Sequence, residues 1–151
     1  MTERLVLARP LADEIVSHCL QGRPNEACGI LASADGVVTK VFRMTNASSS
    51  PVRYALDPKE QFAVYRAIDE QGWELGGVFH SHTRTEAYPS PTDVRLAAED
   101  VPHVIVSLAK EPPILRAFRI VKDSWTDENG TIIEVAVEVT DAPGSRKAGE
   151  G

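Results

Sequence analysis

The hydrophobic positions near the start of the chain follow two periods, one typical of strands and one typical of helices. Alternating apolar side chains at 5–8 predict a short strand. A helix at 10–20 follows, because proline at position 10 is suited to a first helical turn. Leu11, Ile15 and Cys19 are spaced to form its apolar face. The first predicted elements are therefore a strand and a helix.

A hairpin is predicted after this helix. Apolar runs at 28–33 and 37–44 flank Ala34-Asp35-Gly36, a turn sequence that joins antiparallel strands. A polar loop at 45–51 comes next, and the segment 53–56 predicts a further short strand.

The second helix has a strong start signal. Asp57 can cap its first turn, and Pro58 fits the first helical position. Glu60 can reach back to the cap, as the third residue of a capping box does. The helix would run to about Gln71, because Gly72 is a favoured residue just past a helix end.

The rest of the chain predicts one more helix among four strands. Ser90-Pro91-Thr92-Asp93 begins that helix by the same capping logic, and the helix would run to about residue 99. The predicted strands are 75–82, 103–108, 115–121 and 131–139. Helices combined with both hairpins and crossovers predict an α/β protein with a mixed sheet and helices packed on it.

Length and composition predict one domain at 1–139. Of the 151 residues, 42% are hydrophobic and 25% are charged, as in ordinary globular domains. Residues 140–151 are small and polar, and predict a disordered tail. A net charge of -6 argues against nucleic-acid binding, and no apolar run is long enough for a membrane span. Two cysteines and no recognisable signal peptide favour a cytoplasmic location.

The chemistry concentrates at the end of the predicted strand 75–82. His80 and His82 are two residues apart, so on a strand they project from one face and can share a metal ion. Asp93 follows in the first turn of the next helix, where the helix dipole favours a carboxylate. Two histidines and one carboxylate form a common ligand set for catalytic zinc, with a fourth position open for water.

An activated water also needs a group that takes its proton, and Glu26 is the candidate for this general base and acid. Each motif alone has a simpler explanation. Ser90 and Asp93 can be a plain capping box, His80 and His82 a half-exposed strand pair, and Glu26 a surface carboxylate. Spacing alone leaves the metal site and these explanations open.

The full pattern of Glu26, His80-Ser81-His82, seven further residues and Ser90-x-x-Asp93 resembles the signature of the JAMM (MPN-plus) metallopeptidases. The segment Glu26-Ala27-Cys28-Gly29 is similar to the motif around the catalytic glutamate of that family. The resemblance implies a single MPN/JAB1-like domain. It also implies a curved mixed sheet flanked by helices, in an α-β-α arrangement like that of the cytidine deaminases.

The resemblance assigns a role to each matching residue. His80, His82 and Asp93 would bind one zinc ion per chain. Glu26 would act as acid and base, and Ser90 would donate a hydrogen bond to the oxyanion of the tetrahedral intermediate. Because these five positions show no departure from the signature, the resemblance argues against a non-catalytic member of the fold.

Further segments resemble a short bacterial branch, the sulfur-carrier-protein-cysteine hydrolases. They are Met44-Thr45-Asn46-Ala47, Tyr54-Ala55-Leu56-Asp57 and 85–90. This implies hydrolysis of the amide bond after the C-terminal Gly-Gly of a ubiquitin-like sulfur carrier, with release of cysteine in cysteine biosynthesis. Two alternatives stay open: removal of C-terminal residues to mature a carrier, and a non-catalytic MPN-type binding module. The oligomeric state also stays open, with a homodimer as one option.

Other residues receive weaker interpretations. Arg84, between the ligands, could meet a carboxylate of the substrate or product, or could be a solvated loop arginine. Cys19 and Cys28 are interpreted as small core residues, and His18 as an exposed one. A zinc nucleobase deaminase is excluded, because the chain lacks the His-x-Glu and Pro-Cys-x-x-Cys motifs of that class.

Overall fold

The computed structural model describes residues 3–141, which form seven strands and three helices. The strands are β1 (Arg4–Ala8), β2 (Cys28–Ala34), β3 (Val37–Met44), β4 (Glu74–His82), β5 (His103–Ser107), β6 (Ile114–Val121) and β7 (Thr131–Thr140). The helices are α1 (Arg9–Gly22), α2 (Pro58–Glu70) and α3 (Pro91–Leu96). All seven strands and three helices correspond to elements that the hydrophobic pattern predicts.

All seven strands belong to one mixed sheet, in the order β1-β3-β2-β4-β5-β6-β7. The pairs β1–β3, β1–β7 and β4–β5 are parallel, and the other pairs are antiparallel. Every residue of β1 pairs with β7, and β1 also pairs with β3 at Val6 and Val37. The sheet therefore closes on itself. The α/β class is thus confirmed, whereas the sheet is barrel-like and closed rather than the curved sheet between helices that was expected. This arrangement gives no support to the cytidine-deaminase comparison.

The two faces of the sheet carry different helices. Ile15 of α1 packs in one cluster with Phe79 of β4 and Val104 of β5. Ile68 of α2 packs in another cluster with Val78 of β4. Since neighbouring strand residues point to opposite faces, His80 and His82 lie on the side of Val78 and α2. Cys19 and Cys28 are fully buried, which confirms their interpretation as core residues.

The region between β3 and α2 differs from the prediction. The segment 53–56 is not a strand, and it contributes only an isolated bridge between Asn46 and Leu56. The backbone of 53–56 bonds to the Asn46 side chain instead of to a neighbouring strand.

The third helix also differs from its prediction, because α3 ends at Leu96, three residues earlier than expected.

Two polar side chains also differ from their predicted roles. Glu60 does not reach back to its own helix start, because it accepts hydrogen bonds from the backbone N and the Oγ1 of Thr45, both at 2.8 Å. Asp57 caps α2 alone, through the backbone N of Lys59. His18 is half-buried rather than exposed, and its Nε2 lies 3.1 Å from the carbonyl oxygen of Cys28.

The ends of the chain are only partly described. Thr140 completes β7, and the rest of the predicted tail at 140–151 lies outside the described residues except for Asp141. Within residues 3–141, none of the helices combines the length and apolar character needed to cross a bilayer.

Candidate active site

The last residues of β4 place two imidazole rings on one face of the sheet. His80 and His82 are 1% and 4% exposed. β4 lies between β2 and β5, where His80 is paired with Cys28 on one side and with Ile105 on the other. His80 is thus paired on both edges, and His82 is paired with Ser107 of β5. These pairings fix the backbone that carries the two rings, so the strand itself sets the distance between them.

The start of α3 brings a carboxylate to these rings. Ser90 and Asp93 form the predicted capping box: the Ser90 Oγ accepts from the Asp93 backbone N at 3.0 Å, and Asp93 Oδ2 accepts from the Ser90 backbone N at 2.9 Å. The same Oδ2 lies 3.2 Å from the Nε2 of His80 and 3.0 Å from the Nε2 of His82. The helix cap and the approach to the histidines therefore share one carboxylate oxygen and do not exclude each other.

These three side chains fit a divalent metal ion. Their ligand atoms lie within 4.8 Å of one another, and the two Nε2 atoms are 3.2 Å apart. Two ligands that are each about 2.0 Å from a tetrahedral ion are separated by about 3.3 Å. The His82 Nδ1 lies 2.8 Å from the carbonyl oxygen of Glu86, which only accepts, so Nδ1 carries a proton. In the neutral form of the ring this leaves the Nε2 lone pair for a metal ion. The group can hold a metal ion.

Charge also favours a cation here. Burial alone would raise the pKa of Asp93, but hydrogen bonds from His80 and His82 outweigh it and hold the pKa well below its usual range. Burial tends to lower the pKa of His82, but its bonds to Asp93 and to the Glu86 carbonyl raise the pKa above its ordinary value. Because its pKa is lowered, Asp93 carries a negative charge at neutral pH, and this charge favours a cation between Asp93 and the two imidazole rings.

Glu26 precedes β2 and is only 5% exposed, which rules out the surface-carboxylate explanation. Its backbone N donates to the carbonyl oxygen of Ser50 at 2.8 Å, and its own carbonyl accepts from the Nδ2 of Asn46 at 2.9 Å. Its Oε1 is buried without a hydrogen-bond partner within residues 3–141. Burial raises the pKa of Glu26 to about 7, with the charge of His82 lowering it and that of Asp93 raising it. Such a pKa suits a group that both takes and gives a proton near neutrality.

Two residues that sequence reasoning did not assign a role also belong to the site. The Asn46 side chain binds the carbonyl oxygens of Glu26 and Arg53. The Tyr54 ring stacks on His80, with 4.5 Å between centroids and 23° between planes. Both residues lie in segments that resemble the bacterial branch, but nothing in the local pattern indicates their contacts.

The site borders a cleft. A cavity of about 260 Å³ lies beside Asp93, between the segment 53–56 and α3. Arg84 lines a different cavity, of about 390 Å³, together with Lys110. Arg84 is exposed and forms no ion pair or hydrogen bond within the described part of the chain, so its role in substrate binding stays a prediction.

Comparison with known proteins agrees with this geometry. The family model described as "Prokaryotic homologs of the JAB domain" matches residues 8–121. A CysO-cysteine peptidase of Mycobacterium tuberculosis is 40% identical over 134 residues, which cover 86% of this chain and 92% of that protein. A desampylase of Haloferax volcanii is 33% identical over 144 residues, which cover 91% of this chain and 99% of that protein.

A solved structure agrees as well. The solution structure of a protein from Desulfitobacterium hafniense superposes with a TM-score of 0.80 at 33% identity, and covers 91% of this chain and 94% of that chain. Because the family model covers most of the sheet and every residue of the signature, and the similar proteins extend over nearly the whole chain, the chain belongs to the prokaryotic JAB-domain family and is a JAMM-type peptidase.

Proposed function

We propose that this protein is a zinc peptidase that hydrolyses the amide bond after the C-terminal Gly-Gly of a ubiquitin-like sulfur carrier and releases cysteine. The observation that carries the proposal is the buried Glu26, whose Oε1 has no hydrogen-bond partner within residues 3–141. The charges of His82 and Asp93, two members of the group that can hold a metal ion, act on its pKa. The names of the similar proteins, a CysO-cysteine peptidase and a desampylase, support cleavage at a small protein carrier.

In this proposal His80, His82 and Asp93 hold one zinc ion per chain. Zinc supplies Lewis acidity and lowers the pKa of water at the site when it is bound. The protein contributes a preset geometry, because β4 fixes both imidazoles and the α3 cap fixes the carboxylate. Burial of the ligands also lowers the local dielectric, which strengthens their interaction with a cation.

Glu26 and Ser90 then handle the proton and the oxyanion. Glu26 takes a proton from the attacking water at its carboxylate and delivers it to the leaving nitrogen, a task for which a pKa of about 7 is suited. The Ser90 Oγ accepts from the Asp93 backbone N, so its own hydroxyl proton is free to donate to the oxyanion. A binding module without catalysis would gain nothing from a buried carboxylate whose Oε1 has no hydrogen-bond partner within residues 3–141.

The space beside the proposed ligands supports this substrate class. The cleft between the segment 53–56 and α3 reaches Asp93 and has room for an extended tail with small side chains. A Gly-Gly tail can pass such a cleft, because glycine has no side chain to collide with the walls. The cytoplasmic location stays a prediction from the sequence, and a homodimer stays one option for the oligomeric state. Neither affects the proposed chemistry.

The test is mass spectrometry of a carrier-cysteine adduct that has been incubated with the zinc-loaded protein. We expect the carrier to lose one cysteine and to end in Gly-Gly. Glu26→Gln should retain zinc and lose turnover by at least about 100-fold, because acid–base catalysis contributes about this much or more. Glu128→Gln is the matched control, because it makes the same substitution at an exposed carboxylate between β6 and β7.

Three outcomes would contradict parts of the proposal. Normal cleavage by Glu26→Gln would show that another group transfers the proton. Removal of longer C-terminal extensions, with the cysteine adduct left intact, would favour carrier maturation. Adduct binding without cleavage by the wild-type protein would favour the binding module.

A further inference from the structure

We propose that Tyr54 is a positioning residue: its ring holds the imidazole of His80 in the orientation that metal binding requires. The stack of the two rings takes the place of a hydrogen bond at the His80 Nδ1, which has no hydrogen-bond partner within residues 3–141. The inference rests on the proposed metal site and extends it to a residue outside the JAMM signature.

The two candidate histidine ligands are held in different ways. A histidine that binds a metal through one nitrogen usually donates its other N–H to a carbonyl, a carboxylate or water, which fixes the ring. His82 follows this rule, because its Nδ1 lies 2.8 Å from the Glu86 carbonyl oxygen. The Nδ1 of His80 is buried and has no hydrogen-bond partner within residues 3–141. Within the described residues no hydrogen bond to Nδ1 fixes the His80 ring, so a different contact has to fix it.

Tyr54 is placed to do this. Its ring lies almost parallel to the imidazole, at 4.5 Å between centroids, and the His82 ring meets His80 at 5.0 Å and 61°. Rotation of the imidazole out of this plane would drive its edge into the phenol ring. An imidazole bound to a dication is also electron-poor, so the negative face of the tyrosine ring attracts it.

Tyr54 itself is fixed although it belongs to no strand. The Asn46 side chain binds the backbone on both sides of it, by donating to the Arg53 carbonyl at 3.0 Å and accepting from the Ala55 N at 3.1 Å. The same amide group donates to the carbonyl of Glu26 at 2.9 Å. One side chain thus sets the backbone of both the proposed acid–base residue and the residue that stacks on a ligand.

The ring, and not the hydroxyl, is the part of Tyr54 that matters for this role. The hydroxyl forms no hydrogen bond within the described residues, whereas the stack involves the whole ring face. Phenylalanine keeps the ring and removes only the hydroxyl, while leucine removes the flat face and leaves an apolar side chain. The pair of substitutions therefore separates the two parts.

The experiment measures zinc affinity of the full chain, by competition with a chelating dye, and the visible absorption spectrum after cobalt substitution. We expect Tyr54→Phe to bind zinc within about twofold of wild type. Tyr54→Leu should bind about 10- to 100-fold more weakly, as for other groups that orient a metal ligand, with shifted cobalt bands. Tyr65→Leu is the matched control, because Tyr65 packs against the same core cluster but bonds to Gln61 and Glu99 instead of a ligand.

Wild-type affinity and an unchanged cobalt spectrum in Tyr54→Leu would overturn the proposal, as would an equal loss in Tyr54→Phe. If circular dichroism shows that Tyr54→Leu does not fold, Tyr54→Met, with a flexible side chain of similar length, takes its place with the same expectations. Failure of the wild-type protein to bind zinc would instead refute the proposed metal site. The two proposals can therefore fail separately.

Discussion

The carboxylate of Glu26 is buried in a place that offers its Oε1 no hydrogen bond within residues 3–141. Burial raises its pKa from 4.5 to about 7. In the metal-free protein the folded state therefore holds a proton on Glu26 over a range of pH in which the unfolded chain has lost it. The contribution of Glu26 to the free energy of unfolding is therefore fully present below pH 4.5 and is lost as the pH rises through about 7.

Replacing Glu26 by glutamine should remove this pH dependence, because the amide is neutral at every pH and has nearly the same shape. We expect the stability of metal-free Glu26→Gln relative to wild type to increase by about 2 kcal/mol between pH 5 and pH 8. Urea unfolding at both pH values, after removal of metal with a chelator, measures the difference. The same substitution at exposed Glu128 is the control. A constant difference across this range would mean that Glu26 is ionised in the fold.

The candidate ligands could be found from sequence because each depends on a short-range rule. His80 and His82 share a face through the period of a strand, and Asp93 is placed by a helix cap. Asn46 and Tyr54 could not be found in this way. Their contacts join a polar loop to residues 20 or more positions away, and no periodicity connects them.

The strands and helices themselves were predictable where a hydrophobic face extends over several residues, as along α1 and β4. The segment 53–56 was not, since its backbone bonds to Asn46 instead of a neighbouring strand. Nor was the closure of the sheet, because Arg4 pairs with Ala136 and no local pattern brings such distant residues together. Long-range pairing is the part of this fold that the pattern of single segments leaves undetermined.

The strand β2 contains a position where only glycine fits. Gly29 pairs with Phe79 of β4, and an added Cβ would overlap the Phe79 ring and the Phe42 carbonyl oxygen. Phe79 is fully buried and cannot move aside. We expect Gly29→Ala to lower the free energy of unfolding by about 1 to 3 kcal/mol, as other overpacked cores do. Thermal unfolding followed by circular dichroism measures the loss.

Gly36→Asn provides a comparison for this substitution. Gly36 lies in the β2–β3 turn at φ +80, with nothing within 4 Å of an added Cβ. Asparagine tolerates this left-handed conformation better than other side chains do, so the change in stability should be smaller than for Gly29→Ala. Equal unfolding temperatures for Gly29→Ala and wild type would show that β2 and β4 can separate enough to admit a methyl group.

The whole molecule places its candidate site where separate parts of the chain meet. The candidate ligands come from β4 and α3, and Glu26 precedes β2. α3 has only six residues, and a helix of this length is not stable alone. It depends on its cap and on the contact of Val94 and Ala97 with Ile120 of β6. A metal ion between β4 and α3 would add a further link. Metal binding should therefore stabilise the fold and, in particular, make local unfolding of α3 less frequent.

Zinc should therefore raise the unfolding temperature of the wild-type protein. At free zinc about 100-fold above its Kd the stabilisation is about 2.7 kcal/mol, which corresponds to a rise of about 5 to 10 °C for a domain of this size. Hydrogen exchange of the amides in 91–96 should slow in the same samples. His82→Ala should lose both effects, because the ligand is removed while the α3 cap is kept.

Ser90→Ala distinguishes the contribution of the α3 cap to stability from the contribution of the metal. Loss of the Ser90 hydroxyl removes the acceptor for the Asp93 backbone N and should lower stability by about 1 kcal/mol with or without zinc. The zinc-induced rise should persist, because none of His80, His82 and Asp93 has changed. If His82→Ala showed the same rise as wild type, zinc would be acting elsewhere on the chain. If Ser90→Ala lost the rise, the cap and the metal site would form one cooperative unit, with α3 ordered only when both are present.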